Sequence, residues 1–244
     1  MKCSKCDNTA IISQRTSDNH LCAEHFAAEF EQSVRETLLK SLMVKNGDRI
    51  AVALSGGKDS TVVLYVLDKL LADKGIELVA ITIDEGIKGY RDDTMKSARK
   101  IVDNLGVDQQ ILTFRDDYGF DLDQVVQDGA MPCTICGVFR KNALNRAAKR
   151  LGASKLATGH NLDDEVQSIM MNYLKGDIER LKRLRPMRAQ PGLIPRIKPL
   201  REIPEKEVAL YGMVKGFYEP SRGSLASPTS HKICIGLSRH LEAY

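Results

Sequence analysis

Residues 55–60, SGGKDS, stand between an apolar run, IAVAL, and the helical pattern TVVLYVLDKLL. Adjacent glycines let backbone N–H groups close on an anion, and the N-terminus of the following helix adds its dipole. Lys58 supplies a point charge, Ser55 and Ser60 supply hydroxyl donors, and Asp59 supplies a carboxylate for magnesium or for a proton. A Walker loop needs GxxxxGK[ST], with a hydroxyl directly after the lysine. Here an aspartate follows the lysine, so the loop is a phosphate cradle of another kind. The competing reading is a plain glycine turn, which the close succession of strand, loop and helix disfavours.

Two sets of sulfur ligands accompany the loop. Cys3, Cys6, Cys22 and His25 read as C-x2-C-x15-C-x2-H, the spacing of a closed tetrahedral zinc site. Cys133 and Cys136 lie in PCTICG, just before a helical pattern. They can be a redox dithiol, half of a zinc site or two ligands of an iron–sulfur cluster, and spacing alone does not choose. Cys234 is the sixth cysteine. The N-terminus, MKCSKCDNTA, has no apolar signal core, which predicts a cytoplasmic chain whose paired cysteines serve metal or redox chemistry rather than disulfides.

A further polar group spans Gly159 to Glu165. Gly159 permits close backbone approach. Asp163 and Asp164 open a helix, where carboxylates also act as N-terminal caps. His160 is either a site residue or a satisfied loop histidine.

The elements that must position these groups alternate. Strands are predicted at 50–54, 77–83, 109–114 and 155–159, and helices at 59–71, 91–105, 136–151 and 162–174. A helix also precedes the first strand, from Phe26. Short apolar strands alternating with helices predict an α/β fold with a parallel sheet covered on both faces. Ligands of such folds bind at the carboxyl ends of the strands, where all these motifs fall. Residues 176–200 read as an irregular connection, Ile203 to Met213 as a further helix with Pro204 in its first turn, and the tail from Glu219 as a loop.

The 244 residues suit one main domain with a small appendage. No apolar stretch approaches the roughly 20 residues that cross a bilayer, so no membrane partner is expected. A net charge of +4 is too mild to prove a nucleic-acid partner, but basic residues concentrate in one stretch. Arg180, Lys182, Arg183, Arg185, Arg188, Arg196, Lys198 and Arg201 form either a solvated basic loop or a phosphate-tracking surface.

SGGKDS after a strand resembles the PP-loop of the N-type ATP pyrophosphatases, which cleave ATP to AMP and pyrophosphate. ATGHNLDDEVQSIMMNYLKGD (157–177) resembles their second motif, GHNxDDxxxT, with Ser168 near the usual threonine. DEGIKGYRDD (84–93) resembles a stretch of the archaeal and eukaryotic enzymes that 2-thiolate the wobble uridine of tRNA. PCTICGVFRKNAL (132–144) resembles the central cysteine motif of that family. The N-terminal cysteine–histidine unit is similar to one shared with the T-loop uridine thiolases.

The resemblance implies a PP-loop ATP pyrophosphatase domain at 48–215, a zinc module at 1–27, a linking helix at 28–47 and a C-terminal tail at 216–244. It implies ATP and Mg2+ held around Ala53, Leu54, Ser55, Gly56, Gly57, Lys58, Asp59 and Ser60, with the adenine against Ile83. Gly159, His160, Asp163 and Asp164 would complete that pocket. It implies a 4Fe–4S cluster on Cys133, Cys136 and a third cysteine from the C-terminal region, where only Cys234 is available. The family's third cysteine follows soon after the helix matching Ile203 to Met213; GFYEPSRG has none, and Cys234 comes later, in HKICIGL. The implied catalytic residues are Lys58, Asp59, Cys133, Cys136, Arg140 and Asp164. The implied partners are tRNA, a sulfur donor (sulfide or a ubiquitin-like sulfur carrier) and a second copy of the chain.

The chemistry is coherent. The C2 carbonyl of uracil is a poor electrophile with a poor leaving group, and AMP transfer to its oxygen remedies both. Three alternatives remain: T-loop thiolation, an ammonia-using PP-loop synthetase, and a non-enzymatic zinc-organised nucleic-acid-binding or redox-sensing protein.

Overall fold

The computed structural model describes residues 1–14, 18–40, 43–87, 91–126, 132–184 and 191–218. Five parallel strands form the sheet: β3 (Arg49–Ala53), β4 (Glu77–Asp84), β5 (Asp108–Thr113), β6 (Lys155–Ala157) and β7 (Arg196–Ile197), in the order β5-β4-β3-β6-β7. A small antiparallel pair, β1 (Ile12–Ser13) and β2 (His20–Leu21), precedes it. The chain winds outward from β3 to β4 and β5, then returns to β6 on the other side of β3. That reversal places a topological switch point between β3 and β6, with Val52 level with Ala157.

Alternation along the strands sorts the core into two layers. Ile50, Val52, Leu54 and Ala80 face one side. There they meet α1 (Ala23–Lys40), α2 (Lys58–Leu71), α3 (Arg91–Leu105) and α9 (Glu205–Val214). Ala51, Val79, Ile81 and Ile83 face the other, against Ala143, Ala147 and Ala148 of α6 (Pro132–Arg150). Three alanines on one helix stripe let α6 lie close to the sheet.

The helices and strands fall within a few residues of their sequence positions, with informative exceptions. α1 begins at Ala23, so His25 sits in its first turn. α6 begins at Pro132, four residues before the expected start, which places both Cys133 and Cys136 on the helix. The expected irregular connection at 176–200 contains a short helix, α8 (Ile178–Arg183), and the edge strand β7. Two further short helices, α4 (Phe114–Tyr118) and α5 (Leu122–Val126), lead toward α6, and α7 (Leu162–Leu174) follows β6. Pro204 is the N-cap of α9 rather than part of its first turn. No helix among the described residues is long and apolar enough to cross a membrane.

The zinc-spaced segment is joined to the main core through Leu21 and Phe26, both fully buried. α1 is held to α9 by a stack of Phe30 on Tyr211, ring centroids 4.0 Å apart. The Tyr211 hydroxyl donates to Glu31 Oε1 at 2.7 Å, and Glu31 also meets Lys69 and Lys215. Tyr211→Phe therefore keeps the stack but removes a hydrogen bond to a charged, largely enclosed acceptor. The expected loss is about 1.5–3 kcal/mol in urea unfolding, with Tyr211→Ala losing more.

Candidate active site and metal centres

The β3–α2 loop is built around Gly56. Its φ of +78° lies in the left-handed region, and a Cβ there would sit 1.8 Å from the Thr94 carbonyl oxygen. Any other residue would displace α3 or the loop. Ser55 Oγ and Ser60 Oγ are 3.0 Å apart, and Ser60 Oγ also donates to the Gly57 carbonyl at 3.0 Å. The Gly57 N–H reaches Ser55 Oγ at 3.3 Å. α2 then starts from Gly57 with no side-chain cap, leaving its first-turn N–H groups to other acceptors. Ala53 ends β3, and Leu54, buried, donates its N–H to the Ile81 carbonyl at 2.9 Å. Ile83 is buried on β4.

Lys58 Nζ bridges Asp59 Oδ2 at 2.9 Å and Glu205 Oε1 at 2.7 Å. Burial works against its charge, but these carboxylates hold it above the ordinary lysine value. Asp59 is pushed above the usual carboxylate range by desolvation first, with Asp164 and Glu205 adding repulsion and Lys58 opposing it. Its Oδ1 is buried and has no hydrogen-bond partner among the described residues. A cradle without a capping side chain, facing an orphaned carboxylate oxygen, fits a phosphate with its magnesium ion.

The loop after β6 presses on this cradle. A Cβ at Gly159 would lie 3.0 Å from both Asp59 C and Ser60 N. His160 Nδ1 is 2.9 Å from Thr158 Oγ1, and desolvation, followed by the charge of Lys198, pushes the imidazole below its usual value. Asp164 forms a capping box with Asn161 at the start of α7, and Asp163 Oδ2 accepts the Glu205 N–H at 2.7 Å. Both aspartates thus have structural partners: one caps its own helix, the other starts α9.

Cys136 is buried on α6, and Arg140, one turn on, donates from Nη2 to its Sγ at 2.9 Å. Arg140 Nε meets Glu85 Oε1 at 2.9 Å, and Glu85 is only 3% exposed. Glu85 is fixed by its own loop: its carbonyl accepts the Leu122 N–H at 2.8 Å, and the Gly86 N–H closes on Asp84 Oδ1 at 2.9 Å. A buried thiol facing a guanidinium is a fitting ligand for an iron–sulfur cluster, whose sulfur ligands are thiolates. The Cys133 side chain, the whole of Cys234, and Arg185 and Arg188 lie outside the described residues, as does the Arg183 side chain.

The four N-terminal ligands converge, with all their ligand atoms within 4.8 Å of one another. Cys6 Sγ and Cys22 Sγ are 3.7 Å apart, and His25 Nδ1 lies 3.5 Å from Cys3 Sγ and 3.3 Å from Cys22 Sγ. A tetrahedron with Zn–S of about 2.3 Å has S–S edges of about 3.8 Å. The donor set and its dimensions fit zinc. Desolvation raises the Cys3 thiol, but the N–H groups of Cys22 and Lys5 and the neighbouring thiols bring it down to about 6. The cysteine pair and the loop residues were legible from motif spacing; Glu85 and Glu205 were not, because both act through partners distant in sequence.

Comparison with known proteins agrees with this geometry. A family model described as a PP-loop domain matches residues 23–217. A second, described as the N-terminal LIM domain of the 2-thiouridine synthetase TtuA, matches residues 2–27. Cytoplasmic tRNA 2-thiolation protein 1 of Drosophila sechellia is 42% identical over 236 residues, covering 94% of this chain and 68% of that protein. The tRNA 2-thiolation protein NcsA of Haloferax volcanii is 40% identical over 233 residues, covering 88% and 73%. Among solved structures, the U34-tRNA thiolase NcsA from Methanococcus maripaludis with its [4Fe-4S] cluster superposes with a TM-score of 0.80 at 36% identity, covering 100% of this chain and 88% of that one. An ammonia-dependent NAD synthetase from Campylobacter jejuni, at 13% identity and a TM-score of 0.51, shares the fold alone.

The zinc assignment has a direct check. Cys22→Ser should lose one bound zinc per chain by elemental analysis. It should lower the unfolding free energy by about 3 kcal/mol or more, because Leu21 and Phe26 carry the ligand segment into the main core. Zinc retained at full stoichiometry in the variant would sink the assignment.

Proposed function

The chain belongs to the PP-loop tRNA 2-thiolation family, and we propose that it adenylates the C2 carbonyl oxygen of the wobble uridine and then replaces that oxygen with sulfur. One observation carries the reading. A phosphate cradle after β3 and a buried, guanidinium-bonded thiol beside the loop after β4 open at the carboxyl edge of neighbouring strands. Activation and sulfur delivery therefore share one cleft.

In the first step the uracil oxygen attacks the α-phosphorus of ATP, an O–P bond forms, and pyrophosphate leaves. Lys58 stabilises the charge on the departing pyrophosphate, and Asp59 and Asp164 would hold a magnesium ion that adds to this stabilisation when bound. Ser55, Gly56, Gly57 and Ser60 hold the phosphates, Ala53 and Leu54 with Ile83 border the adenine, and Gly159 and His160 close the pocket. Asp163 keeps α9, and with it Glu205, in place. In the second step sulfur at the oxidation level of sulfide adds to C2, and AMP leaves with the original oxygen, so no electrons are exchanged. Cys136, with Cys133 and Cys234 as the proposed remaining ligands, would hold a 4Fe–4S cluster, which when bound would supply that sulfur in nucleophilic form. Arg140, fixed by Glu85, holds the Cys136 sulfur in position. The sulfur arrives as free sulfide or from a ubiquitin-like carrier, and the cytoplasm, where its insect relatives are named to act, is its place of work.

We also propose that the active form is a homodimer. α7 packs along α8 and buries only Glu165. Val166, Ile169, Met170 and Met171 are about half exposed, and Tyr173 and Leu174 are more than 70% exposed. A single apolar stripe of this kind is self-complementary about a two-fold axis. Ile169→Glu together with Tyr173→Glu should halve the mass measured by light scattering. An unchanged mass would remove this support.

Three measurements test the main reading. Nucleoside mass spectrometry of tRNA from a deletion strain should show loss of wobble 2-thiouridine with T-loop thiouridine intact; the reverse would favour the T-loop alternative. Lys58→Ala should lower AMP formation about 100- to 1,000-fold. Asp59→Asn should abolish it while the melting temperature holds or rises. The sign follows from its raised folded-state value: ionised Asp59 opposes folding above the ordinary carboxylate range, and the amide removes that cost.

A further inference from the structure

The β6–β7 side of the cleft carries positive charge that these chemical steps do not use. Lys141 lies on α6, Arg180 on α8, Arg196 on β7, and Lys198 two residues further along the same face. Some of this charge is neutralised. Lys198 and Arg201 share the buried Glu165, Arg180 Nε pairs with Asp177 Oδ2 at 3.1 Å, and Arg140 pairs with Glu85. Lys141 and the half-buried Arg196 have no carboxylate or hydrogen-bonding side-chain partner among the described residues.

α6 is held against the segment before β7: Asn145, one turn after Lys141, accepts the Ile194 N–H on Oδ1 at 2.8 Å and donates from Nδ2 to the Gly192 carbonyl at 3.2 Å. Lys141 is held below the usual lysine value by desolvation and then by the charges of Arg196, Arg180, Arg140 and Lys198. Arg196 is lowered by desolvation. Gathering six cations around three carboxylates costs folding free energy, and an anion brought to the unpartnered pair recovers it.

We propose that Lys141 and Arg196 form a phosphodiester site for the tRNA backbone, separate from the nucleotide cradle at Ser55–Ser60. The inference rests on the tRNA-thiolation reading and names a subsite within it. Three arguments favour RNA over the nucleotide. The cradle lies at the end of β3, and β7 is two strands away, roughly 10 Å across the sheet. A planar guanidinium beside a point-charge ammonium matches the two free oxygens of one phosphodiester. Finally, Lys141 shares one turn of α6 with Arg140, so a backbone phosphate held there is bound by the helix that carries the Cys136 sulfur.

The test uses the full chain and an unmodified tRNA transcript bearing the target uridine. Lys141→Gln and Arg196→Gln are measured for tRNA affinity across a salt series, and separately for ATP affinity. Lys100→Gln, an exposed lysine of α3, is the control. Each site variant should weaken tRNA binding about three- to tenfold and lower the salt slope by about 0.7–0.9, with ATP affinity unchanged. Lys100→Gln should leave all three unchanged. Lys141 is exposed, so its variant keeps the test intact even where Arg196→Gln disturbs β7. Unchanged tRNA affinity and slope in Lys141→Gln overturn the proposal, as does a loss confined to ATP, which assigns the charges to nucleotide phosphate. If the wild-type chain itself fails to bind or thiolate tRNA, the broader reading fails instead, and the two failures are told apart.

Discussion

The site depends on how closely the loop after β6 approaches the first turn of α2. At Gly159 a single methyl group would crowd the Asp59 and Ser60 backbone. That contact is possible because β3 and β6 are hydrogen-bonded neighbours whose carboxyl ends stand level. At a switch point, helices leaving adjacent strands diverge to opposite sides, and a crevice opens between their first turns. Here the starts of α2 and α7 are linked through Glu205, which pairs with Lys58 and donates its N–H to Asp163. Each motif is ordinary for its strand–loop–helix unit; their juxtaposition makes a cleft that can hold a nucleotide.

Electrostatics inside the cleft are arranged for exchange. Lys58 is tied to Asp59 and Glu205, and Glu205 is held by Asp163 from the opposite helix. Asp164 and Glu205 both repel Asp59 beside a single lysine. The carboxylates would hold a magnesium ion, and Lys58 would then be free to pair with phosphate oxygens. The unpartnered Asp59 oxygen marks where the present neutralisation is incomplete. The resting ion pairs therefore preserve the geometry and give way to ligands that satisfy the same charges better.

Much of this was readable along the chain, and the part that was not has a physical cause. Long periodic elements such as α2 and α3 declare themselves, because burial of one face leaves a repeating apolar pattern. The strands β1, β2 and β7 are two residues each, too short for any period to register. α6 begins earlier than its apolar pattern because its opening stretch, PCTICG, carries no apolar repeat. Motif residues were visible through local spacing, whereas Glu85 and Glu205 become meaningful only when β4 and α9 bring them to Arg140 and Lys58. The two aspartates of GHNLDDE looked equivalent, and only the fold separates the cap of α7 from the anchor of α9.

The chain also uses one cysteine spacing in two ways, and the backbone decides which. Cys3 and Cys6 lie in a turn stabilised by the Cys3 N–H on the Asn8 carbonyl, and β2 delivers Cys22 and His25 opposite them. Four donors at tetrahedral separations leave no room for a fifth group, so a metal there organises the fold and does no chemistry. Positions 133 and 136 instead lie one turn apart on α6, at the carboxyl edge of the sheet. Two positions three residues apart share one face of a helix, so they would hold a cluster from one side only. Arg140 follows Cys136 by four residues and is fixed by Glu85. The same two-residue gap thus closes a site in a turn and would leave one open on a helix, at the edge of the sheet where the phosphate cradle lies.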